Sequence, residues 1–317
     1  MINNNKRCIL SIVIPCFNLS NTVRTCLDSI LQQNSDDVEI ICVNDGSTDD
    51  TATALSEYAE RIVIISNEHN GVSATRNIGQ KRAKGEWIWF VDGDDMITTN
   101  AIRTIKYNMN SMYDVMFFGA LVNNGNSKYI LDNLRVPNAV LEGENVFDEW
   151  ITNICYPYVW NCVYKKSFLQ ENQIEFNNSL SIGEDMAFQF AVFSKANSCK
   201  MISTPIYIYH YLCRNSSMYK ALLEANTMKY NLAVLDVVLK DTRDLSRQQR
   251  NKIFRWSYEY IVKSCFDSCK YLVPLHRIWK KYHGKLPFRS LKLRAKGALL
   301  RYWITTKIYI NYRENKQ

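Results

Sequence analysis

Three carboxylates fall within four residues at Asp92-Gly93-Asp94-Asp95, directly behind the apolar run 87–91 (WIWFV). Crowded carboxylates repel one another unless they are solvated or share a cation. Hard oxygen ligands of this kind suit Mg2+ or Mn2+ held jointly with substrate phosphates. A solvated turn with an Asp capping the next helix would use the same residues, and Gly93 serves both readings. A second acidic pair, Glu184-Asp185, opens the run 186–193 (MAFQFAVF). Two effects oppose each other there. A helix N-terminus favours the ionised form, whereas burial beside Phe188 and the adjacency of the two acids raise the pKa. The ten cysteines offer no comparable chemistry: they are scattered, form no CxxC, and Cys265 and Cys269 have no His at ligand spacing. Buried thiols in a reducing compartment are expected rather than a zinc site or disulfides.

A strand–helix alternation over residues 1–120 must position these acids. Residues 9–14 (ILSIVI), 38–43 (VEIICV), 62–65 and 87–91 read as buried strands. Between them, Ser20 or Asn21 can cap a helix carrying Val23, Leu27, Ile30 and Leu31 on one face, and further helices are expected over 49–60 and 73–83. Such alternation is the signature of βαβ units and a parallel sheet, in which ligands bind beyond the carboxyl ends of the strands. Pro15, Cys16, Phe17 and Asn18 follow the first strand, Asn44 to Asp49 the second, Asn67 to Gly71 the third and Asp92 to Asp95 the fourth. The acids therefore gather on one rim. Beyond a turn at 123–126 (NNGN), helices are expected near 144–152, 167–172 and 185–196, and a strand at 206–211 (IYIYHY). From about residue 218 the chain reads as helical.

The blocks IVIPCFN (12–18), EIICVNDGSTDDT (39–51), GVSATRNIG (71–79) and WFVDGDD (89–95), in this order, resemble the family 2 glycosyltransferases of the GT-A fold. WNCVYKKSFLQENQIEF (160–176), IGEDMAFQF (182–190) and PIYIYHYLCRNSSM (205–218) continue the likeness to members that make bacterial polysaccharides. The resemblance implies a Rossmann-like, mostly parallel α/β sheet with flanking helices. It divides into a nucleotide-sugar half (1–120), an acceptor and catalytic-base half (121–220) and a helical, basic C-terminal extension (221–317). It also implies roles. Pro15, Phe17 and Asn18 would hold the nucleotide, with Phe17 stacked on the base and Asp45 accepting a hydrogen bond from a uracil ring nitrogen. Arg76 would reach the diphosphate or ribose. Asp94 would ligate Mn2+ or Mg2+, with Asp92 and Gly93 completing the Asp-x-Asp element and Asp95 the alternative ligand. Asp185 would be the general base of an inverting transfer, with Glu184 beside it. Trp160 would line the acceptor side of the cleft, a core position being the alternative, and His210 reads as a hydrogen-bonded structural histidine, although some members use a late His as a metal ligand.

Composition frames these roles. The chain of 317 residues is 47% hydrophobic and 22% charged, which excludes a disordered or collagen-like protein. Its 39 Lys and Arg exceed its 31 Asp and Glu, for a formal charge of +8. Residues 268–313 hold twelve of the bases and no acid, leaving 27 basic against 31 acidic residues elsewhere. Leucine and aromatic residues interleave with those bases, so an anionic membrane surface is the partner expected for 275–317. Lys6-Arg7 ahead of an apolar stretch imitates a signal peptide. Pro15 ends that stretch and no cleavage site follows, so a first strand is expected there. A cytoplasmic protein peripheral to the membrane is expected, and the resemblance implies a UDP-sugar donor and a glycan or lipid-linked glycan acceptor in surface polysaccharide synthesis. The alternatives are a non-catalytic nucleotide- or glycan-binding relative and a nucleic-acid-binding protein. No nucleic-acid module is recognisable, so no nucleic-acid partner is expected.

Overall fold

The computed structural model describes residues 7–123, 128–130, 138–153, 158–210, 227–242, 245–253 and 256. The extension from 257 onward, with its candidate membrane-facing stretch 275–317, lies outside them.

Strands β1 (Leu10–Cys16), β2 (Val38–Asp45), β3 (Val63–Asn67) and β4 (Trp87–Phe90) run parallel in the order β3-β2-β1-β4. Helices α1 (Val23–Leu31), α2 (Thr51–Ser56) and α3 (Val72–Arg82) connect them. The period of two sorts each strand between two cores. Ile12, Ile14 and Trp89 face α1 and α2, while Val13, Ile41 and Phe90 join the core on the other face. The chain winds outward from β1 to β3 and then returns to β1's other side with β4. The carboxyl ends of β1 and β4 thus flank the switch point, where an open sheet leaves a crevice.

Beyond β4 the sheet is mixed, which departs from the simple parallel alternation. After β5 (Met96–Ile97) and α4 (Ala101–Asn108), strand β6 (Val115–Asn123) runs deep in the sheet. Strand β9 (Cys162–Lys165) inserts antiparallel between β4 and β6, and β10 (Ser198–His210) lies parallel to β6 on its far side. Short strands β7 (Lys128–Ile130) and β8 (Ala139–Glu142) pair antiparallel with β6 and β10. Because β6 pairs with both β9 and β10, a division at residue 120 falls inside a strand. Helices α5 (Asn145–Asn153), α6 (Lys166–Glu171), α7 (Glu184–Lys195) and α8 (Thr227–Asp241) contribute to the second core.

Several boundaries differ from the sequence reading. The helix expected over 49–60 is confined to α2, and the chain then closes in turns, with the N–H of Tyr58 donating to the carbonyl of Leu55. Neither Ser20 nor Asn21 caps α1, whose N-cap is Thr22. The strand expected at 206–211 begins at Ser198, and its register shifts around Pro205, which has no N–H to give the ladder. The buried character expected of 186–193 holds on every side: all eight residues are buried in α7.

Candidate active site

The four loops beyond β1 to β4 converge through side-chain bonds rather than by proximity alone. The Oδ1 of Asn18, a residue at φ 54°, accepts from the N–H of Thr48 at 2.8 Å, and its own N–H donates to the Ser47 Oγ. Asp49 accepts from the N–H groups of Ser20 and Thr51, which holds its carboxyl at about 2 against partial burial. Pro15 sits half-buried at the end of β1, and Phe17 next to it is 42% exposed. Asp45, buried at the end of β2, accepts from the N–H groups of Asn70 and Gly71, at 2.9 Å each, and so pins the β3–α3 loop.

Arg76 is the bridge between the two acidic clusters. Carried on the inner face of α3, its guanidinium donates to Asp92 Oδ1 and to Glu184 Oε1, both at 2.8 Å, and lies over the Phe176 ring. Burial opposes its charge, but the two carboxylates more than offset that and raise its pKa. Glu184 and Asp185 open α7, whose N-cap Gly183 sits at φ 76°; a Cβ there would meet Val234 Cγ2 at 2.6 Å. Asp185 accepts from the N–H of Met186, yet burial first and the Glu184 charge second push its carboxyl up to about 7. Burial has won the contest with the helix terminus.

On the other side of Arg76, the three acids after β4 have separate environments. Gly93 lets the loop pass against β1, since a Cβ would lie 3.3 Å from Ile14 Cγ2, and 2.7 Å from Leu19 Cδ1 in the loop beyond. Asp95 is buried and bonded on both oxygens: Tyr207 Oη donates to Oδ2 at 2.7 Å and the His210 N–H to Oδ1 at 2.7 Å. Tyr207 in turn accepts from the N–H of Asp92. Asp94 makes no side-chain hydrogen bond or ion pair among the described residues, and burial together with Asp95 and Asp92 pushes it up to about 7. The two candidates for a metal ligand therefore differ in their surroundings, Asp95 being bonded to β10 and Asp94 not.

The positions from Pro15 to Asp95 lie within the span of a family profile, whereas Glu184, Asp185, Tyr207 and His210 lie beyond it. A profile described as "Glycosyl transferase family 2" covers residues 11–172, about half of the chain. The chain belongs to glycosyl transferase family 2. Relatives in the family include the uncharacterized glycosyltransferase EpsJ of Bacillus subtilis, 28% identical over 63% of this chain and 60% of EpsJ. The poly(ribitol-phosphate) beta-glucosyltransferase of Bacillus spizizenii is 30% identical over 72% of this chain and 36% of that enzyme. The chain thus matches less than two thirds of the length of either. Among solved structures, S. aureus TarS 1–349 in complex with UDP superposes with a TM-score of 0.63 at 19% identity, over 86% of this chain and 78% of TarS. The mannosyltransferase PcManGT of Pyrobaculum calidifontis, in complex with GDP-Man and Mn2+, superposes at 0.55 with 14% identity, over 96% of this chain and 85% of that one. These likenesses establish the shared α/β fold.

A divalent cation fits the residues present. Asp94 makes no side-chain hydrogen bond to another described residue, and the ring of His210 close by is directed at Asp95, with Nδ1 3.6 Å from Asp95 Oδ1. The ring faces the same carboxylate that its own backbone N–H binds, in line with a structural histidine. Among the described residues no group of three His, Cys, Asp or Glu is arranged to hold a metal alone, so a cation here needs substrate phosphate oxygens to complete its shell. The reading of Trp160 is corrected. It is buried, stacked on Tyr207 at 4.4 Å between ring centroids, and its carbonyl accepts from Trp89 Nε1, so it belongs to the core rather than to an acceptor wall. Sequence reasoning missed Tyr207 and His69 as site residues. The alternation of IYIYHY does place Tyr207 and Tyr209 on one face, where both stack on Trp160. The six described cysteines are free, five of them buried, and no described helix is long and apolar enough to cross a membrane.

Proposed function

We propose that this chain is an inverting, metal-dependent glycosyltransferase that moves a sugar from a UDP-sugar to a hydroxyl of a growing, lipid-linked surface glycan. The observation that carries this reading is the placement of Arg76 between two acidic clusters, the Asp92–Asp95 loop on one side and, on the other, a carboxylate lifted to about 7 at the head of α7. In this reading Phe17 stacks the base on its exposed face, with Pro15 and Asn18 shaping the loop beneath and Asp45 receiving the base N–H. Asp94 and Asp92 hold Mn2+ or Mg2+, which when bound neutralises the charge that gathers on a departing nucleoside diphosphate. Gly93 keeps the backbone between them low enough for the diphosphate to approach.

Asp185 is the general base. A carboxylate near 7 is poised to take a proton from a hydroxyl at neutral pH, as that oxygen attacks the anomeric carbon in line with the departing diphosphate. Glu184 holds Arg76 and raises its neighbour. UDP as the nucleotide is supported by the TarS complexes with UDP and UDP-GlcNAc, and a polymer hydroxyl as acceptor by the poly(ribitol-phosphate) glucosyltransferase. The basic stretch 275–317 would keep the enzyme on the anionic cytoplasmic face of the membrane, where lipid-linked acceptors reside. A panel of UDP- and GDP-sugars with and without Mn2+, read by nucleotide release, tests the reading. UDP release that depends on Mn2+ is expected, and turnover confined to GDP-sugars would overturn the donor assignment.

A further inference from the structure

The base subsite assigned above already contains a ring. His69 lies on Phe17 with ring centroids 4.1 Å apart and planes 21° from parallel. The His69 Nδ1 is 2.9 Å from Asp45 Oδ2 and 3.2 Å from the Asp45 carbonyl. Both of these partners are acceptors, so Nδ1 carries the hydrogen. An aromatic ring stacked on Phe17 with an N–H directed at Asp45 reproduces the two contacts that the proposed function gives to the uracil ring. Stacked rings lie about 3.4 Å apart, so a base between Phe17 and His69 would need about 7 Å between their centroids. At 4.1 Å there is no room for one.

We infer that His69 is a placeholder for the nucleobase: its imidazole occupies the base position in the free enzyme and swings out when a nucleotide enters. The inference rests on the reading of Phe17 and Asp45 as the base subsite. The local construction favours a side-chain swing over movement of the loop. Asn70 and Gly71 anchor the backbone to Asp45, and Gly46 is packed so closely that a Cβ on it would lie 2.9 Å from the His69 nitrogen. The imidazole itself is 56% exposed on its outer side and can rotate about its own bonds. With it in place, the Asp45 side chain is only 3% exposed. A carboxylate has about four acceptor positions, and the two backbone N–H groups hold two of them. A departing imidazole therefore frees a position for a base N–H without unpinning the loop. Asp45 then selects for bases that present a ring N–H, and the imidazole covers the carboxylate between turnovers.

Such a placeholder competes with the nucleotide. If the open form makes up about a tenth of the free enzyme, the apparent affinity for UDP is weakened about tenfold. The test is calorimetric titration of UDP, with Mn2+, into the full chain and into His69→Ala, alongside histidine-labelled NMR of the unmodified protein. The chain has four histidines, and the substitution identifies the signal of His69. UDP should bind His69→Ala roughly five- to tenfold more tightly, and the ring-current-shifted His69 signal should move as UDP is added. Equal or weaker binding by His69→Ala would overturn the placeholder while leaving the donor reading intact, as would a His69 signal that stays fixed at saturating UDP. Failure of UDP to bind either protein would overturn the donor reading and the placeholder with it. Should His69→Ala fold poorly, His69→Gln supplies the assignment, so the NMR arm on the native chain still decides the matter.

Discussion

Replacing Arg76 by Met removes the cation between the two acidic clusters while keeping most of the side-chain volume. The guanidinium side chain is 5% exposed, and its partners Asp92 and Glu184 are 28% and 12% exposed. Losing two hydrogen bonds alone would cost about 2 kcal/mol. Orphaning a buried charge costs about 3–5 kcal/mol, and partial access of water to Asp92 places this case near the low end, about 3 kcal/mol. For a domain of this size each kcal/mol moves the melting temperature by about 2–4 °C, so Arg76→Met should melt roughly 6–12 °C lower. Arg76→Lys should recover only part of the loss, since one ammonium on a flexible stem does not span two carboxylates as a planar guanidinium does. The double variant Arg76→Met/Glu184→Gln should melt above Arg76→Met, because the cost lies mainly in the abandoned charge. Thermal unfolding by circular dichroism in metal-free buffer reads all three. A melting temperature for Arg76→Met indistinguishable from wild type, or a double variant less stable than the single one, would refute the bridge.

Other outcomes follow from the carboxylates on either side. The rate of transfer should fall about tenfold per pH unit below an apparent pKa near 7, because Asp185 must be ionised to accept a proton. Glu184→Gln should move that limb to lower pH, and a profile flat from pH 5.5 to 8 would contradict the assignment. Asp94→Ala should abolish the Mn2+-dependent part of nucleotide release yet melt at or above the wild-type temperature without metal, since this carboxylate has no bond to lose among the described residues and is disfavoured by burial. A clear loss of stability would show instead that Asp94 is structural.

Much of the first half was legible because its signals are local. Short β-branched runs, helical faces and rim loops each announce themselves within a dozen residues; Asp45, Asp92 and Asp94 lie where strands end, and Arg76 lies within α3. The second half depends on pairings that no local pattern specifies. Strand β6 lies deep in the sheet between β9 and β10, so its apolar run carries no alternation, and the antiparallel entry of β9 comes from far along the chain. The acidic loop shows the same division. Spacing placed three carboxylates after β4, but only the bonds from Tyr207 and His210, more than a hundred residues away, distinguish the bonded Asp95 from Asp94. Trp160 was misplaced for a related reason: a Trp beside a predicted cleft looks like a wall until its stacking partners fill the core around it. The pKa of Asp185 had two opposed causes in sequence, and packing decided between them.

The most direct test of the central claim is sugar transfer by Asp185→Asn, measured beside UDP binding in the same preparation. The substitution keeps the shape and the hydrogen bond from Met186 while removing the proton acceptor. Transfer to the acceptor hydroxyl should be lost and UDP affinity retained, with a melting temperature at pH 8 equal to or above wild type, since an anion held near 7 by burial weighs against the fold once it ionises. Transfer at the wild-type rate by Asp185→Asn would contradict the assignment of Asp185 as the base.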